Sequence, residues 1–432
     1  MTDVRLRRGR AALAFSFFVQ GVTFALLVTR IPAIQDRYGI SDGLLPVFLA
    51  AVPVLAGVAS VATERLVRRT PPSVVLRWSQ PVVLLSLLAV GAGGRLWQAA
   101  AALAAFGLAV GALDASMNML GVSLQRQYGR SIMLGFHAAY SLGGIAGASA
   151  AWAGAHWKLP LFTGYLPAVA LLLPLALLAS RRYADAPGTV PAPGGKAGDP
   201  EGVGGAGRAP EAAARPSGGP AVPGPGSAGF FRPLLPLCLV MACAYIGDST
   251  VANWSAKYLQ DVLGSSEQLA TVPYTVYMVT TLLGRAVGDR GVRRFGAVAV
   301  VRAGTLLAAA GFGVVAAARG PWSGMLGFTL LGFGLCVIVP QTFAAAGRLF
   351  PGHSDAAVAR LNIFNYVGFL IGSPLVGALG DAFDYRLAML VPMALVLGTL
   401  VHAPSFAAEG DRYRGGHERA RTVDVGRGGH GV

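Results

Sequence analysis

The chain has 432 residues, 54% hydrophobic and only 13% charged, with a formal net charge of +15 at pH 7. A soluble chain carries about 25% charged residues, so this composition excludes an ordinary water-soluble domain. The positive charge alone would suit a nucleic-acid surface, but it sits in short clusters between long apolar runs, which argues against that class.

In chain order, Arg5, Arg7, Arg8 and Arg10 precede a first apolar run near 11–31. Further runs lie near 44–63, 74–92, 97–119, 132–154 and 159–180. A bilayer-crossing helix needs about 20 mostly apolar residues, so each is predicted to be a span. The first is too long for the apolar part of a cleavable signal and leads into more spans, so no signal peptide is expected. Arg65, Arg68 and Arg69 follow the second run, Arg126 and Arg130 the fourth, Arg181 and Arg182 the sixth. The intervening loops hold only Arg37 beside Asp36, then Arg95, then Lys158. This positive-inside bias predicts a multi-pass protein with both termini in the cytoplasm.

Residues 183–232 are dominated by Gly, Pro and Ala and are expected to be a disordered cytoplasmic linker. Six more runs follow near 233–254, 270–288, 296–317, 322–347, 357–378 and 387–406. The segment 407–432, with Arg412, Arg414, Arg419, Arg421 and Arg427, is expected to be a disordered basic cytoplasmic tail. Cys238, Cys243 and Cys336 all fall within predicted spans, and their odd number argues for apolar packers rather than disulfides.

A shift of 225 residues aligns the two sets of runs without a gap. It matches Gln35, Asp36, Gly39 and Ser41 to Gln260, Asp261, Gly264 and Ser266. It also matches Arg65, Val67, Arg68 and Arg69 to Arg290, Val292, Arg293 and Arg294, and Arg77 to Arg302. Gly107, Gly143 and Gly147 match Gly332, Gly368 and Gly372. The expected fold is an all-α membrane protein with twelve transmembrane helices. Its two six-helix halves, 1–182 and 233–406, are parallel repeats about an axis along the membrane normal. This layout with a long cytoplasmic middle loop resembles the major facilitator superfamily.

The loops Glu64-Arg65-Leu66-Val67-Arg68-Arg69 and Gly288-Asp289-Arg290-Gly291-Val292-Arg293-Arg294 are similar to that superfamily's acidic–basic loop signature. The first departs from it by Glu64 and by Val67 where the family has glycine. An acid at a helix end can pair with loop arginines and face a neighbouring helix N-terminus, forming a latch that exists in one access state. The plainer reading is charge that sets topology.

In the fourth span, Gly107, Gly111, Asp114 and Asn118 share one helical face. A mid-membrane carboxylate costs about 2.5–3.5 kcal/mol on an insertion scale, so Asp114 needs a partner, a wet cavity or a proton. Asp114-Ala115-Ser116-Met117-Asn118 resembles an element of the fucose-permease-like branch, in which the resemblance implies a proton-coupling role for the acid. That branch also has an acid in span one, where this chain has Val28. A second intramembrane acid, Asp248, lies near Asn253 and Trp254 in a stretch similar to poorly characterised bacterial members. Gly129-Arg130-Ser131-Ile132-Met133 and the following His137 and Ser141-Leu142-Gly143-Gly144 resemble them too, which implies the plasma membrane of a bacterium. Each acid could instead be a structural carboxyl hydrogen-bonded between helices.

His137, Tyr140 and Ser141 share a face of span five, and the repeat pairs His137 with Asn362 and Tyr140 with Asn365. With Tyr274, Tyr277 and Gln341 they are candidate linings of a shared polar cavity, to which Asn118, Asn253 and Trp254 are added. Polar residues also join membrane helices without binding anything, and His137 reads equally as a relay or a structural histidine. Arg30 reads as an arginine snorkelling to the interface.

No phosphate-cradling loop, metal-ligand spacing or soluble catalytic domain is found in the sequence. The expected protein is therefore not an enzyme and holds no cofactor or metal. Its expected partners are a small-molecule substrate, protons and the lipid bilayer, with no nucleic acid, and the expected state is a monomer. Asp114 and Asp248 are the expected proton-coupling residues of an alternating-access transporter for a small polar solute, a sugar being the leading class. A drug or metabolite exporter working as a proton antiporter, and a non-transporting membrane receptor or scaffold, are the alternatives.

Overall fold

The computed structural model describes residues 4–40, 45–185, 228–266, 269, 272–350 and 352–407. Ser41, most of the expected linker and nearly all of the expected tail lie outside them. The first half contains α1 (Val4–Val28), the short α2 (Ile31–Tyr38), α3 (Leu45–Leu66), α4 (Pro72–Ala92), α5 (Leu96–Tyr128), α6 (Met133–His156) and α7 (Leu161–Ser180). The second contains α8 (Ala228–Lys257), α9 (Val272–Phe295), α10 (Ala297–Ala317), α11 (Pro321–Leu335), α12 (Ile338–Leu349), α13 (Ser354–Ala382), α14 (Tyr385–Ala388) and α15 (Leu390–His402). No strand occurs among the described residues.

Nine helical stretches among the described residues are long and apolar enough to cross a membrane. The three other predicted spans coincide with α3, α6 and α9, of 22, 24 and 24 residues. Several helices outrun their apolar runs. The α1 helix takes in Arg5 to Arg10, α5 continues through Arg126, and α8 starts before the predicted span. Long cationic side chains let a helix end pass the interface while the charge stays in water.

The edges of the expected linker are ordered. Asp185 accepts from the backbone N–H and hydroxyl of Ser73 at the start of α4, at 3.3 and 2.5 Å. Tyr183 bonds Ser16 at 2.6 Å and Gln80 at 3.0 Å, and Ala184 is buried. At the other edge, 228–232 belong to α8, where Phe230 is buried with its ring 4.1 Å from that of Phe350. The Gly and Pro content of the segment masks these short ends, which carry their own aromatic and capping partners.

The predicted tenth span is divided into α11 and α12 at Cys336 and Val337. Pro340 explains the break. It lacks the N–H that would bond the carbonyl of Cys336 four residues earlier, and its ring crowds that carbonyl.

Within each half the same contacts recur. The α1 helix packs on α6, α3 on α5 and α4 on α5; in the second half α8 packs on α13, α9 on α11 and α10 on α11. Between halves, α3 runs against α13 and α6 against α9. Glycine makes the first of these contacts possible. A Cβ on Gly143 would overlap the carbonyl oxygen of Phe18 in α1, and one on its repeat mate Gly368 would overlap that of Ala242 in α8. Likewise a Cβ on Gly107 would sit 3.0 Å from the carbonyl oxygen of Val52, and one on Gly332 would sit 2.7 Å from that of Tyr277. Val52 and Tyr277 are themselves 225 apart, so the shift read in sequence reproduces contacts as well as residue types.

Backbone-to-backbone overlap is not relieved by a rotamer change. Gly143→Ala and Gly368→Ala are therefore each expected to destabilise the detergent-solubilised protein by about 1–3 kcal/mol. Thermal unfolding reads this, and an unchanged midpoint in both variants would contradict the close approach.

Candidate functional site

The close approach of α5 to α3 at Gly107 and Gly111 sets the next polar turn of α5, Asp114, against the facing helices. Its Oδ1 accepts from Nε2 of Gln20 in α1 and Nδ2 of Asn118, each at 3.3 Å. Its Oδ2 accepts from Nδ2 of Asn365 at 3.3 Å and the hydroxyl of Tyr366 at 3.1 Å, both in α13. One carboxylate thus joins α1 and α5 of the first half to α13 of the second. The network runs on: Asn365 also donates to Asn362 at 3.3 Å, Asn362 donates to Ser60 at 3.4 Å, and Ser60 donates to the carbonyl of Ala359 at 3.2 Å. Asn118 donates to the Asp114 backbone carbonyl at 2.9 Å as well.

Asp248 in α8 forms a second node, accepting from the hydroxyl of Tyr277 in α9. Two helical turns beyond Tyr277, on the same face of α9, lies Arg285. Its Nη1 donates to the Ser141 hydroxyl at 2.7 Å and the His137 carbonyl at 3.5 Å, both in α6 of the opposite half. Its Nε donates at 3.3 Å to the carbonyl of Cys336, the oxygen that Pro340 leaves without its helical partner. The proline break and the arginine therefore complete each other.

Tyrosines line the space between the nodes. Tyr140 and Tyr245 each lie within electrostatic range of Asp114, Asp248 and Arg285, and Tyr274 of Asp248 and Arg285. The rings of Tyr274 and Tyr277 stack with centroids 6.3 Å apart. Asp114, Tyr140, Tyr245, Asp248, Arg285 and Tyr366 keep part of their surface accessible although they sit mid-helix against packed neighbours.

The structure thus gathers Asp114, Asn118, Tyr140, Asp248, Tyr274, Tyr277, Asn362 and Asn365. His137, whose carbonyl accepts from Arg285, and Gln341 are buried. The His137 ring packs between Phe17 at 5.3 Å and Phe343 at 6.2 Å, with no partner for its Nε2 among the described residues. Asn253 and Trp254 stand apart. Asn253 turns back to the Ser249 carbonyl at 2.9 Å, and the Trp254 ring packs 5.4 Å from Tyr385 of α14. Sequence reading missed Gln20, Tyr245, Arg285, Arg360 and Tyr366. Of these, Arg285 and Arg360 were detectable as charges inside predicted spans eight and eleven.

At the arginine-rich end the halves meet again. Glu64 at the foot of α3 is 3.4 Å from Arg68 and 3.4 Å from Arg360 of α13. Its repeat mate Asp289 accepts from the Ser131 hydroxyl at 2.6 Å and the backbone N–H of Gly135 at 3.0 Å, in the first turn of α6. The shift of 225 relates Gly135 to Arg360, so one acid faces a helix N-terminus where the other faces a guanidinium. Arg293 donates to the Ser131 carbonyl at 2.9 Å, and Arg126 to Ser354 at 2.9 Å. Arg65, Arg69, Arg290 and Arg294 are exposed. Of the residues expected to latch, the two acids, Arg68 and Arg293 make these contacts. Arg30 donates to the Leu159 carbonyl at 3.1 Å, tying α1 to the loop before α7.

The Glu64–Arg360 pair is mostly shielded from water, with side chains 10% and 21% exposed. A double-mutant cycle with Glu64→Gln and Arg360→Gln, read by thermal unfolding, is expected to give a coupling of about 0.5–3 kcal/mol. A coupling near zero would contradict the tie.

Residues 237–421 match the family model described as Major Facilitator Superfamily. Along most of its length the chain is similar to an uncharacterized MFS-type transporter of Yersinia pestis, 28% identical over 86% of this chain and 89% of that protein. It is also similar to the membrane protein MosC of Rhizobium meliloti, 25% identical over 94% of this chain and 91% of that one. Among solved structures it shares its fold with the transporter FucP in its outward conformation, at a TM-score of 0.72, 16% identity and coverage of 92% and 98%. The human organic anion transporter MFSD10 (TETRAN) gives 0.72, 15% identity and coverage of 92% and 99%.

Proposed function

We propose that this chain is a major facilitator superfamily transporter that moves a small polar solute by proton-coupled alternating access; the fold and the match of residues 237–421 support the first part of that reading. The observation that carries the reading is Asp114, whose single carboxylate accepts hydrogen bonds from both halves. A carboxylate is acceptor-only, and protonation turns one of its oxygens into a donor. Protonating Asp114 therefore weakens the bonds from Asn365 and Tyr366 and loosens α5 from α13. Proton binding and the relative position of the halves are then linked, as coupling requires.

By the positive-inside rule the arginine-rich end is cytoplasmic. There the contacts of Glu64 with Arg360 and of Asp289 with the start of α6 hold the halves together, so this state is closed toward the cytoplasm. Rocking of the first six-helix half against the second would break these contacts and open the cavity inward. The mix of tyrosines and amides around Asp114 and Asp248 suits a polyhydroxylated solute, since aromatic faces stack on a ring while amides bond its hydroxyls. The solute and proton would share the mid-membrane cluster, with Asp114 as the proton site and Asp248, held by Tyr277, beside the solute.

The test is solute-driven proton movement in proteoliposomes holding an internal pH dye, with sugars, polyols and sugar acids as probes. Wild-type protein is expected to acidify the lumen when an accepted solute is added outside. Asp114→Asn is expected to reduce this to the rate of empty vesicles while solute counterflow persists. Gradient-driven accumulation at the wild-type level in Asp114→Asn would overturn the assignment.

A further inference from the structure

Arg285 is a mid-helix guanidinium whose donors are only partly used. Nε bonds the Cys336 carbonyl, and Nη1 bonds Ser141 and the His137 carbonyl. These acceptors are all uncharged. Nη2 has no acceptor among the described residues, and no carboxylate lies within ion-pair distance of the guanidinium. A cation inside a membrane is costly and is ordinarily met by an anion or by water in a cavity. Asp248, which the Tyr277 hydroxyl holds by Oδ1, lies within electrostatic reach of it, and Asp289, one turn further along α9, is taken up by Ser131 and Gly135. Oδ2 of Asp248 accepts from nothing among the described residues. Tyr277, which holds Asp248, and Arg285 stand two turns apart on α9, so the two opposite charges lie within electrostatic reach but are not joined.

We infer that Arg285 and Asp248 are the two ends of a solute subsite, Arg285 taking a carboxylate and Asp248 a hydroxyl of the same molecule, so that the transported class is small sugar acids and hydroxy acids. This rests on the reading of the cluster as the solute site. The guanidinium fork matches a carboxylate in a plane, and its bonds to Ser141, His137 and Cys336 fix its orientation before a solute arrives. The free oxygen of Asp248 accepts a hydroxyl proton but repels a second carboxylate, which orders the solute end to end. Stacked Tyr274 and Tyr277 supply the flat wall between.

Empty, the cluster holds the charges of Arg285, Asp248 and an ionised Asp114, a net of one negative. A bound carboxylate adds one negative charge and a proton on Asp114 removes one, so the loaded and empty clusters carry the same charge. A neutral solute moving with one proton would instead carry net positive charge. Transport of the acid with one proton is thus electroneutral and indifferent to membrane potential.

The experiment is binding to the purified full-length protein, by thermal shift and by tryptophan fluorescence, with probes in matched pairs. D-gluconate is compared with D-sorbitol, and D-galacturonate with D-galactose. The acid of a pair is expected to bind at least about 10-fold tighter than its neutral mate. Arg285→Gln is expected to abolish that preference, and Arg285→Lys, which keeps the charge without the fork, to retain part of it. In vesicles, uptake of the acid under a pH gradient is expected to stay constant when a potassium diffusion potential is imposed. Equal binding of acid and neutral mate in both pairs, or an undiminished preference in a folded Arg285→Gln, would overturn the inference. Neutral sugars driving proton flux that depends on Asp114 would overturn it while leaving the transporter reading intact. Acid binding through Arg285 with proton flux unchanged in Asp114→Asn would support the subsite and overturn the proton role of Asp114.

Discussion

A charge in the middle of a low-dielectric slab must be answered by a partner, and the arrangement of this molecule follows from that requirement. Asp114 is answered by Gln20, Asn118, Asn365 and Tyr366. Arg285 is answered by Ser141 and by two backbone carbonyls. In both cases some of the partners come from the other half of the chain. Asp114 and Arg285 therefore double as inter-half contacts.

The helices supply the precision these contacts need. Glycine at Gly143 and Gly368 lets α1 and α8 lie backbone to backbone against α6 and α13. The helices that carry Ser141, Asn365 and Tyr366 are thereby fixed within each half. Pro340 adds a local device, freeing the Cys336 carbonyl for Arg285 at the cost of an unbroken helix. At the arginine-rich end, Glu64 and Asp289, both buried, repeat the theme with a guanidinium and a helix N-terminus as their partners.

Much of this was legible in the sequence, for physical reasons. Long apolar runs, arginine asymmetry and the 225-residue shift are consequences of the bilayer and of duplication, and both leave marks that need no partner information. Asp114 stood out because a carboxylate in an apolar span is rare. Its partners were less visible. Gln20 and Tyr366 are ordinary polar residues in apolar surroundings, and only the crossing of α1 and α13 with α5 gives them a role. Arg285 carried a signal of the same kind as Asp114 but lay near the cytoplasmic edge of its predicted span, where an arginine reads as topology. Asn253 and Trp254 show the opposite limit of reading by sequence proximity. Their proximity to Asp248 in sequence suggested a shared site, whereas one turn of α8 carries them to the packing against Ser249 and Tyr385. The ordered ends of the linker were hidden because composition averages over a window, while Tyr183, Asp185 and Phe230 act singly.

The central claim is that a proton on Asp114 releases the tie between the halves. Spin labels at the exposed positions Arg69, after α3, and Arg294, at the end of α9, report the separation of the two arginine-rich ends by pulsed dipolar spectroscopy. The account predicts a distance that lengthens as pH falls in an otherwise wild-type protein, and an Asp114→Asn protein that holds the long, low-pH distribution at every pH. A pH-driven change that survives intact in Asp114→Asn would contradict it.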